Sequence, residues 1–543
     1  MQNRRDIVPL DALRQLLAEP EQSFLWCQFV QALAGTPDLV LRGQLVNSVL
    51  AQVDSTGLPG FHANLLAYHC NMGSAHLGLA CKALLDIDAS TTRQLALLSY
   101  MWLTLLNESP SRDAFSSLGK ASGMVDLALC VQQRVATMAK AAGWKFSRQR
   151  GKVAVVLTEA SVQGHPPTRV ALDHVAALLQ AGYKVHIFSA NEWQIAEIWQ
   201  WLGVGQGWQS VPPPLQGLPD WLRHLGAVLG DGSNLTFTLM DATLIPERRY
   251  MALLEQLNEF APEWITLVGF TTGVAQVLHQ HYPVVAMSTL SVPPMAPVDV
   301  WLSPAYPVQL QVQPWHVNMP IGQVQPRMLR LTNLGGAHAR NRVALDAQLG
   351  LAPGVVVVMS AGARLVNELP PPWLEKWVAF LAEHPNVVWL LVGTTLDVGE
   401  PFDQIPTGQV RRLGYVGNFA EVTASVDVVA NPMRIGGGTS VAMAMAAGVP
   451  VVSYDDCDGG DKVQEFAVQD DEAYFARLSC WVLDAEERAR AGSAMRALIE
   501  ARPDTDQMAR DYLQAGALAG ELFSRRCAAR PRPTASPWFG FKP

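Results

Sequence analysis

Cysteine is scarce and unpaired in this chain of 543 residues. There are seven, at positions 27, 70, 81, 130, 457, 480 and 527, and none belongs to a C-x-x-C pair. An odd, scattered set excludes a disulfide framework and a cysteine-based zinc site, and fits thiols kept reduced. Charge is thin as well: Asp, Glu, Lys and Arg make up 16%, with a net charge of −8. That argues against nucleic acid as a partner, because neutralising phosphates takes clustered Lys and Arg. No apolar run reaches the about 18 residues of a spanning helix, so no transmembrane segment is expected. Met1 to Asp6 lead into amphipathic helix and not into an apolar signal core, and the expected location is the cytoplasm. What the chain has in abundance is apolar residues, 49% of the total. The length allows about three to four domains with sizeable cores.

Residues 1–150 read as all-helical. Leu10, Leu13, Leu16 and Leu17 recur at helical spacing, as do Phe24, Leu25, Phe29, Val30 and Leu33. Breakers at 34–37 and 55–60 separate them. His62, His69 and His76 fall seven apart, without the i, i+4 spacing or acidic partners of a metal site, and read as ordinary helix histidines. At Gly151 the texture changes. Residues 152–158 form a buried-type strand, 159–168 a polar loop, 169–180 a helix and 184–188 a second strand. Further strands are expected at 236–240, 265–268, 284–287 and 299–302, closing an α/β domain over 151–325. A second α/β domain is expected over 326–522, with strands at 355–359, 387–392 and 410–413, followed by an irregular Pro/Arg/aromatic tail over 523–543. Strands alternating with helices predict parallel sheets, with ligands at their carboxyl edges.

The most informative stretch is 426–454. Apolar, β-branched residues 426–430 and 449–454 read as strands buried on both faces. Between them, Gly436, Gly437 and Gly438 permit a sharp turn and close approach to a ligand. Thr439 or Ser440 is expected to cap the helix that follows. Free N–H groups and the positive end of the helix dipole attract phosphate. A βα turn that binds nothing is the competing reading of the spacing alone.

Leu413-Gly414-Tyr415-Val416-Gly417-Asn418-Phe419-Ala420-Glu421, the glycine loop and Ala446-Ala447-Gly448-Val449-Pro450 together resemble the nucleotide-sugar half of GT-B glycosyltransferases. The three-part layout resembles bacterial cytoplasmic protein glycosyltransferases, relatives of the O-GlcNAc transferases and of the adhesin-modifying N-glycosyltransferases. The resemblance implies an α/β fold of GT-B type, two Rossmann-like domains facing a cleft and preceded by an all-α domain. Gly436, Gly437, Gly438, Thr439 and Ser440 would hold a donor diphosphate, and Tyr415 and Val416 would offer backbone to the base. In the first loop of that domain, Arg364 would pair with a phosphate through its planar fork. Two departures stand out: Asn367 takes the place of a lysine, and Met443 takes the place of an acid that grips the ribose. Asp461, in the acidic loop 455–461, is the expected substitute. A metal site in that loop is the competing sharp reading, and the family pattern argues for no metal and no cofactor beyond the donor.

Transfer requires a base for the acceptor proton. His165, stiffened between Gly164 and two prolines, is the expected base, since imidazole accepts a proton at neutral pH. Asp173, His174 and Asp241 lie nearby in sequence. The expected function is therefore transfer of a sugar from a nucleotide-diphosphate donor, a UDP-sugar, to a protein or peptide, with inversion. A glycan- or lipid-glycan-extending enzyme is the alternative. A non-catalytic helical scaffold on a degenerate GT-B body is the alternative from another class.

Overall fold

The structure is a computed structural model. It describes residues 9–529 apart from 37, 71–72, 110, 162–165, 204–213, 231–232, 270, 288–293, 304–323, 327–339, 363, 394–407 and 502–504. Eight helices come first: α1 (Pro9–Ala18), α2 (Ser23–Ala34), α3 (Leu39–Gln52), α4 (Gly57–His69), α5 (Ala75–Asp86), α6 (Thr91–Glu108), α7 (Arg112–Ala121) and α8 (Met124–Ala141). The histidines act within this layer. His62 is buried between Leu202 O and Ser23 Oγ, His69 meets the Tyr100 hydroxyl at 2.9 Å, and His76 meets Asn64.

The first sheet has seven parallel strands in the order β3-β2-β1-β4-β5-β6-β7. They are β1 (Lys152–Leu157), β2 (Lys184–Ser189), β3 (Leu235–Leu239), β4 (Trp264–Val268), β5 (Val284–Met287), β6 (Val300–Ser303) and β7 (Val324–Pro326). The crossovers contain α9 (Pro166–Gln180), α10 (Ile198–Leu202), α11 (Asp220–Val228), α12 (Pro246–Phe260) and α13 (Ala275–His281). Sequence reasoning found six of these strands; β7, only three residues long, carried no pattern of its own.

The second sheet is parallel too, in the order β10-β9-β8-β11-β12. Its strands are β8 (Val356–Ala361), β9 (Val387–Val392), β10 (Val410–Leu413), β11 (Val428–Ala430) and β12 (Val451–Val452). Around it lie α14 (Arg342–Leu349), α15 (Leu365–Glu368), α16 (Pro371–Glu383), α17 (Phe419–Ser425), α18 (Gly438–Ala446), α19 (Gly460–Val463), α20 (Asp471–Leu483) and α21 (Ala485–Glu500). Every residue of β8 and β9 is buried, which is why both read as unbroken apolar runs. Trp377 stacks on Trp389 at 4.0 Å and locks α16 to β9.

The last helix, α22 (Thr505–Ala529), crosses back to the first sheet. Tyr512, Ala515 and Ala519 pack into the core beneath β1 and β4, and the Tyr512 hydroxyl donates to Thr266 Oγ1 at 2.6 Å. Arg526 pairs with Asp299 at 2.7 Å. Residues read from sequence as the end of the second domain and the start of the tail are thus helical and rest on the first sheet. Residues 530–543 lie outside the described residues. Among the described residues no helix is long and apolar enough to cross a membrane.

In both sheets the strand order reverses beside the first strand, between β1 and β4 and between β8 and β11. Open α/β sheets bind ligands at such reversals, outside the carboxyl ends of the strands. The loops that matter are therefore those after β1, β4, β8 and β11.

Candidate active site

On the second sheet, the loops after β8 and β11 meet over two arginines. Arg434 is 5% exposed, with its fork fully used. It donates to Asn431 Oδ1 at 3.0 Å, Glu368 Oε2 at 2.7 Å and Ala361 O at 2.9 Å. Above it, Gly436 and Gly437 take φ of +92° and +79°. A Cβ at Gly437 would lie 2.4 Å from Arg434 Nε, and one at Gly436 would lie 3.0 Å from Arg364 Nη2. Glycine is required at Gly437 on both counts, backbone conformation and space. Gly437→Ala is accordingly expected to cost about 1–3 kcal/mol and to weaken nucleotide binding. Thermal melts with and without UDP check this; unchanged melting and affinity would mean that the loop absorbs the methyl group.

The two positive-φ glycines bring the chain into α18 two to three residues earlier than expected. Gly437 is the N-cap and no side chain caps the helix. Thr439 and Ser440 lie inside the first turn, and Ser440 Oγ donates back to Gly437 O at 2.7 Å. The Gly436 N–H donates to Asp458 Oδ2 at 2.9 Å. Lys462 also reaches the helix start, where a Cβ at Gly438 would meet its Cε at 3.4 Å. Asp461 is half-buried beside it in α19.

Arg364, the expected phosphate partner, is held by protein groups. Nη2 donates to Ile435 O at 2.7 Å, Nη1 to Leu106 O of α6 at 3.3 Å, and Glu368 Oε1 lies 2.8 Å away. It ties the glycine loop to the helical layer. Asn367 is the third residue of α15. Tyr415 follows β10 with its ring 79% exposed, whereas Val416 packs half-buried on the second core. Among the described residues no group of three or more His, Cys, Asp or Glu is arranged to hold a metal ion.

Across the cleft, His165 lies outside the described residues. The His174 ring contacts Val170 O at 2.7 Å and tilts against Tyr512 of α22. Asp173 is buried beside it. Asp241 is exposed and accepts from Thr243 N at 2.8 Å, which holds its carboxyl below the ordinary value.

A cluster that sequence reasoning passed over occupies the carboxyl ends of β1, β2 and β4. Glu159 follows β1 and accepts from Gln194 Nε2 at 3.0 Å and from Trp193 N at 3.4 Å. Burial pushes its carboxyl up to about 7. Behind it, Glu192 accepts from the Thr272 hydroxyl and from Gly273 N, and burial raises it to about 7 as well. Arg249, 3% exposed, donates to Asn191 O. Tyr250 bonds Glu192, whereas polar atoms of Asn191, Trp193 and Arg249 in this cluster are buried without a hydrogen-bond partner.

Residues 334–484 match the family model described as Glycosyl transferases group 1. The fold matches a mutant of the Thermobaculum terrenum O-GlcNAc transferase, with 13% identity, a TM-score of 0.54, and 95% of this chain and 94% of that one covered. The chain carries a glycosyl transferases group 1 domain on a GT-B fold. By domain and fold it is a glycosyltransferase. A glycosyltransferase from Rickettsia africae is also similar, at 10% identity and a TM-score of 0.46, covering 68% of this chain and 99% of that one. So is an E. coli trehalose-6-phosphate protein bound with UDP-2-fluoro glucose, at 10% identity and a TM-score of 0.45, covering 68% and 99%. No curated protein matches in sequence. In this GT-B glycosyltransferase, helix α6 touches Arg364 beside the glycine loop of the second sheet and Trp193 in the loop after β2 of the first.

Proposed function

We propose that the protein transfers a sugar from a UDP-linked donor to a polypeptide acceptor, with inversion and without a metal ion. The observation that carries the donor half is the uncapped start of α18 behind two positive-φ glycines, at the strand-order reversal of the second sheet. N–H groups and the helix dipole at such a place stabilise the charge left on a departing diphosphate. Lys462, arriving at the same helix end, supplies a cation where Asn367 does not. The acceptor half rests on the helical layer. Gln132 of α8 donates to Thr271 Oγ1 at 3.0 Å and to Met295 O at 2.7 Å, so the layer is fixed to the loop after β4 and walls the cleft. A wall of helices beside the acceptor side suits an extended polypeptide, and the neighbouring O-GlcNAc transferase fold is in keeping with that.

A scaffold reading has one observation in its favour. The Gly436 N–H already donates to a carboxylate, Asp458, in the place where a phosphate oxygen would arrive. Titration with UDP decides between the two. Binding in the micromolar range, with release of UDP from UDP-glucose or UDP-N-acetylglucosamine, is the expected result. No binding up to millimolar UDP leaves the scaffold.

A further inference from the structure

We propose that Glu159 is the base that takes the acceptor proton during transfer. The proposal rests on the glycosyl-transfer reading above and adds the residue that performs its proton step. Four observations converge on it.

The first is position. Glu159 is the second residue after β1, at the point where the strand order of the first sheet reverses. That is the carboxyl edge on which an acceptor would lie.

The second is orientation. Its two carboxyl oxygens are held separately, Oε1 by the Gln194 amide and Oε2 by the Trp193 N–H. Both partners come from the loop after β2, so the carboxyl is fixed and only partly covered.

The third is nearness to the donor side. The Trp193 ring packs against Trp102 of α6, with centroids 6.2 Å apart. One turn further along the same helix, Leu106 O accepts from Arg364, whose other nitrogen holds Ile435 just before the glycine loop. Residues four apart on a helix are neighbours, about 5–6 Å between Cβ atoms. Trp193, whose N–H holds Glu159, and Arg364, which holds the chain just before the glycine loop, therefore rest on adjacent turns of α6.

The fourth is what lies behind. Arg249 from α12 is buried, and its Nε and the buried Asn191 Oδ1 have no hydrogen-bond partner, while Glu192 is hydrogen-bonded to Tyr250, Thr272 and Gly273 N. The charged group acting on Glu159 is Arg249, which itself interacts with Glu192 and Asp241. Burial outweighs the arginine and keeps the carboxyl titrating near neutrality, where a base is most useful.

The step balances without another reagent. The acceptor oxygen or nitrogen bonds to the anomeric carbon, and the bond from that carbon to the diphosphate oxygen breaks, its electron pair leaving with UDP. The acceptor proton passes to Glu159 and from there to solvent.

The experiment uses the full chain with UDP-glucose and UDP-N-acetylglucosamine, water serving as acceptor where no better one is known, and reads UDP release against pH. Wild-type turnover is expected to rise with pH through about 7, because the working form of the carboxyl is deprotonated. Glu159→Gln is expected to lose at least about a hundredfold in turnover, to lose that acid limb and to keep UDP affinity. Glu159→Asp is expected to keep the limb at reduced turnover. Activity of Glu159→Gln within a few-fold of wild type, or with the limb intact, overturns the assignment while leaving the donor reading in place. Loss of UDP binding in Glu159→Gln also overturns it, by making Glu159 a structural group. If wild-type protein neither binds UDP nor releases it from either sugar, the donor reading fails and this one falls with it.

Discussion

Arg434→Met is expected to destabilise the second domain by about 3–5 kcal/mol and to abolish nucleotide binding. The arginine is almost fully buried, and its three nitrogens are committed to Asn431, Glu368 and Ala361 O. Methionine fills much of the volume but supplies no charge. Glu368, 3% exposed, then keeps only Arg364 as a counter-charge, and the carbonyl of Ala361 loses its donor. The cost arises because Glu368 Oε2, Asn431 Oδ1 and Ala361 O are all left buried without the donor that satisfied them. The effect reaches the ligand because the guanidinium is the floor on which Gly437 rests. Thermal melting should show a drop on the order of 10 °C, and a UDP titration should show no saturation. The double variant Arg434→Met with Glu368→Leu should recover neither stability nor binding, because it leaves Arg364 without its carboxylate partner. A loss below about 1 kcal/mol in the single variant would mean that the two arginines and Glu368 do not act as one buried unit.

Glu192→Gln should stabilise the protein above neutral pH and leave it unchanged in mild acid. Burial raises the carboxyl from an ordinary 4.5 to about 7. Between those values the folded chain holds the proton and the unfolded chain releases it. The unfolded state binds fewer protons there, so wild-type stability falls as pH rises through that window and levels off above 7. The span corresponds to about 3 kcal/mol, at about 1.4 kcal/mol per pH unit. Glutamine never ionises. It can still accept from Thr272 and Gly273 N, and its amide nitrogen can donate to the Tyr250 hydroxyl that bonds the carboxyl in the wild type. Paired melts at pH 5 and pH 8 test this. An offset between variant and wild type that is the same at both values would show that Glu192 is not protonated in the folded state.

The parts of the fold that were legible share one property: local pattern and tertiary position agree. Residues 356–361 and 387–392 are apolar throughout because both faces of their strands are covered. The glycine loop was legible because only glycine accepts the backbone it adopts. Misplaced or overlooked features depend on partners distant in sequence. Arg364 and Arg434 are equally plausible phosphate ligands when read in line. Only the structure shows that Leu106, some 258 residues away, accepts from the first. The sequence points to His165 as the base because imidazole accepts a proton at neutral pH, and His165 lies outside the described residues, whereas nothing in the neighbourhood of Glu159 singles it out. Trp193 and Gln194, which hold Glu159 in place, lie 34 and 35 residues downstream and follow a different strand. Helix α22 spans the expected boundary at 522 between the second domain and an irregular tail, because nothing local in 505–529 says that it returns to the first sheet.

Helix α6 holds a carbonyl to the second half of the molecule and an aromatic ring to the first. The first eight helices therefore act as a strut between loops of the two sheets: α6 meets the loop after β2 through Trp102 and the loop after β8 through Leu106, and Ile435 of the second sheet is buried in the same core as α6. A substitution that displaces α6 is expected to shift both loops together.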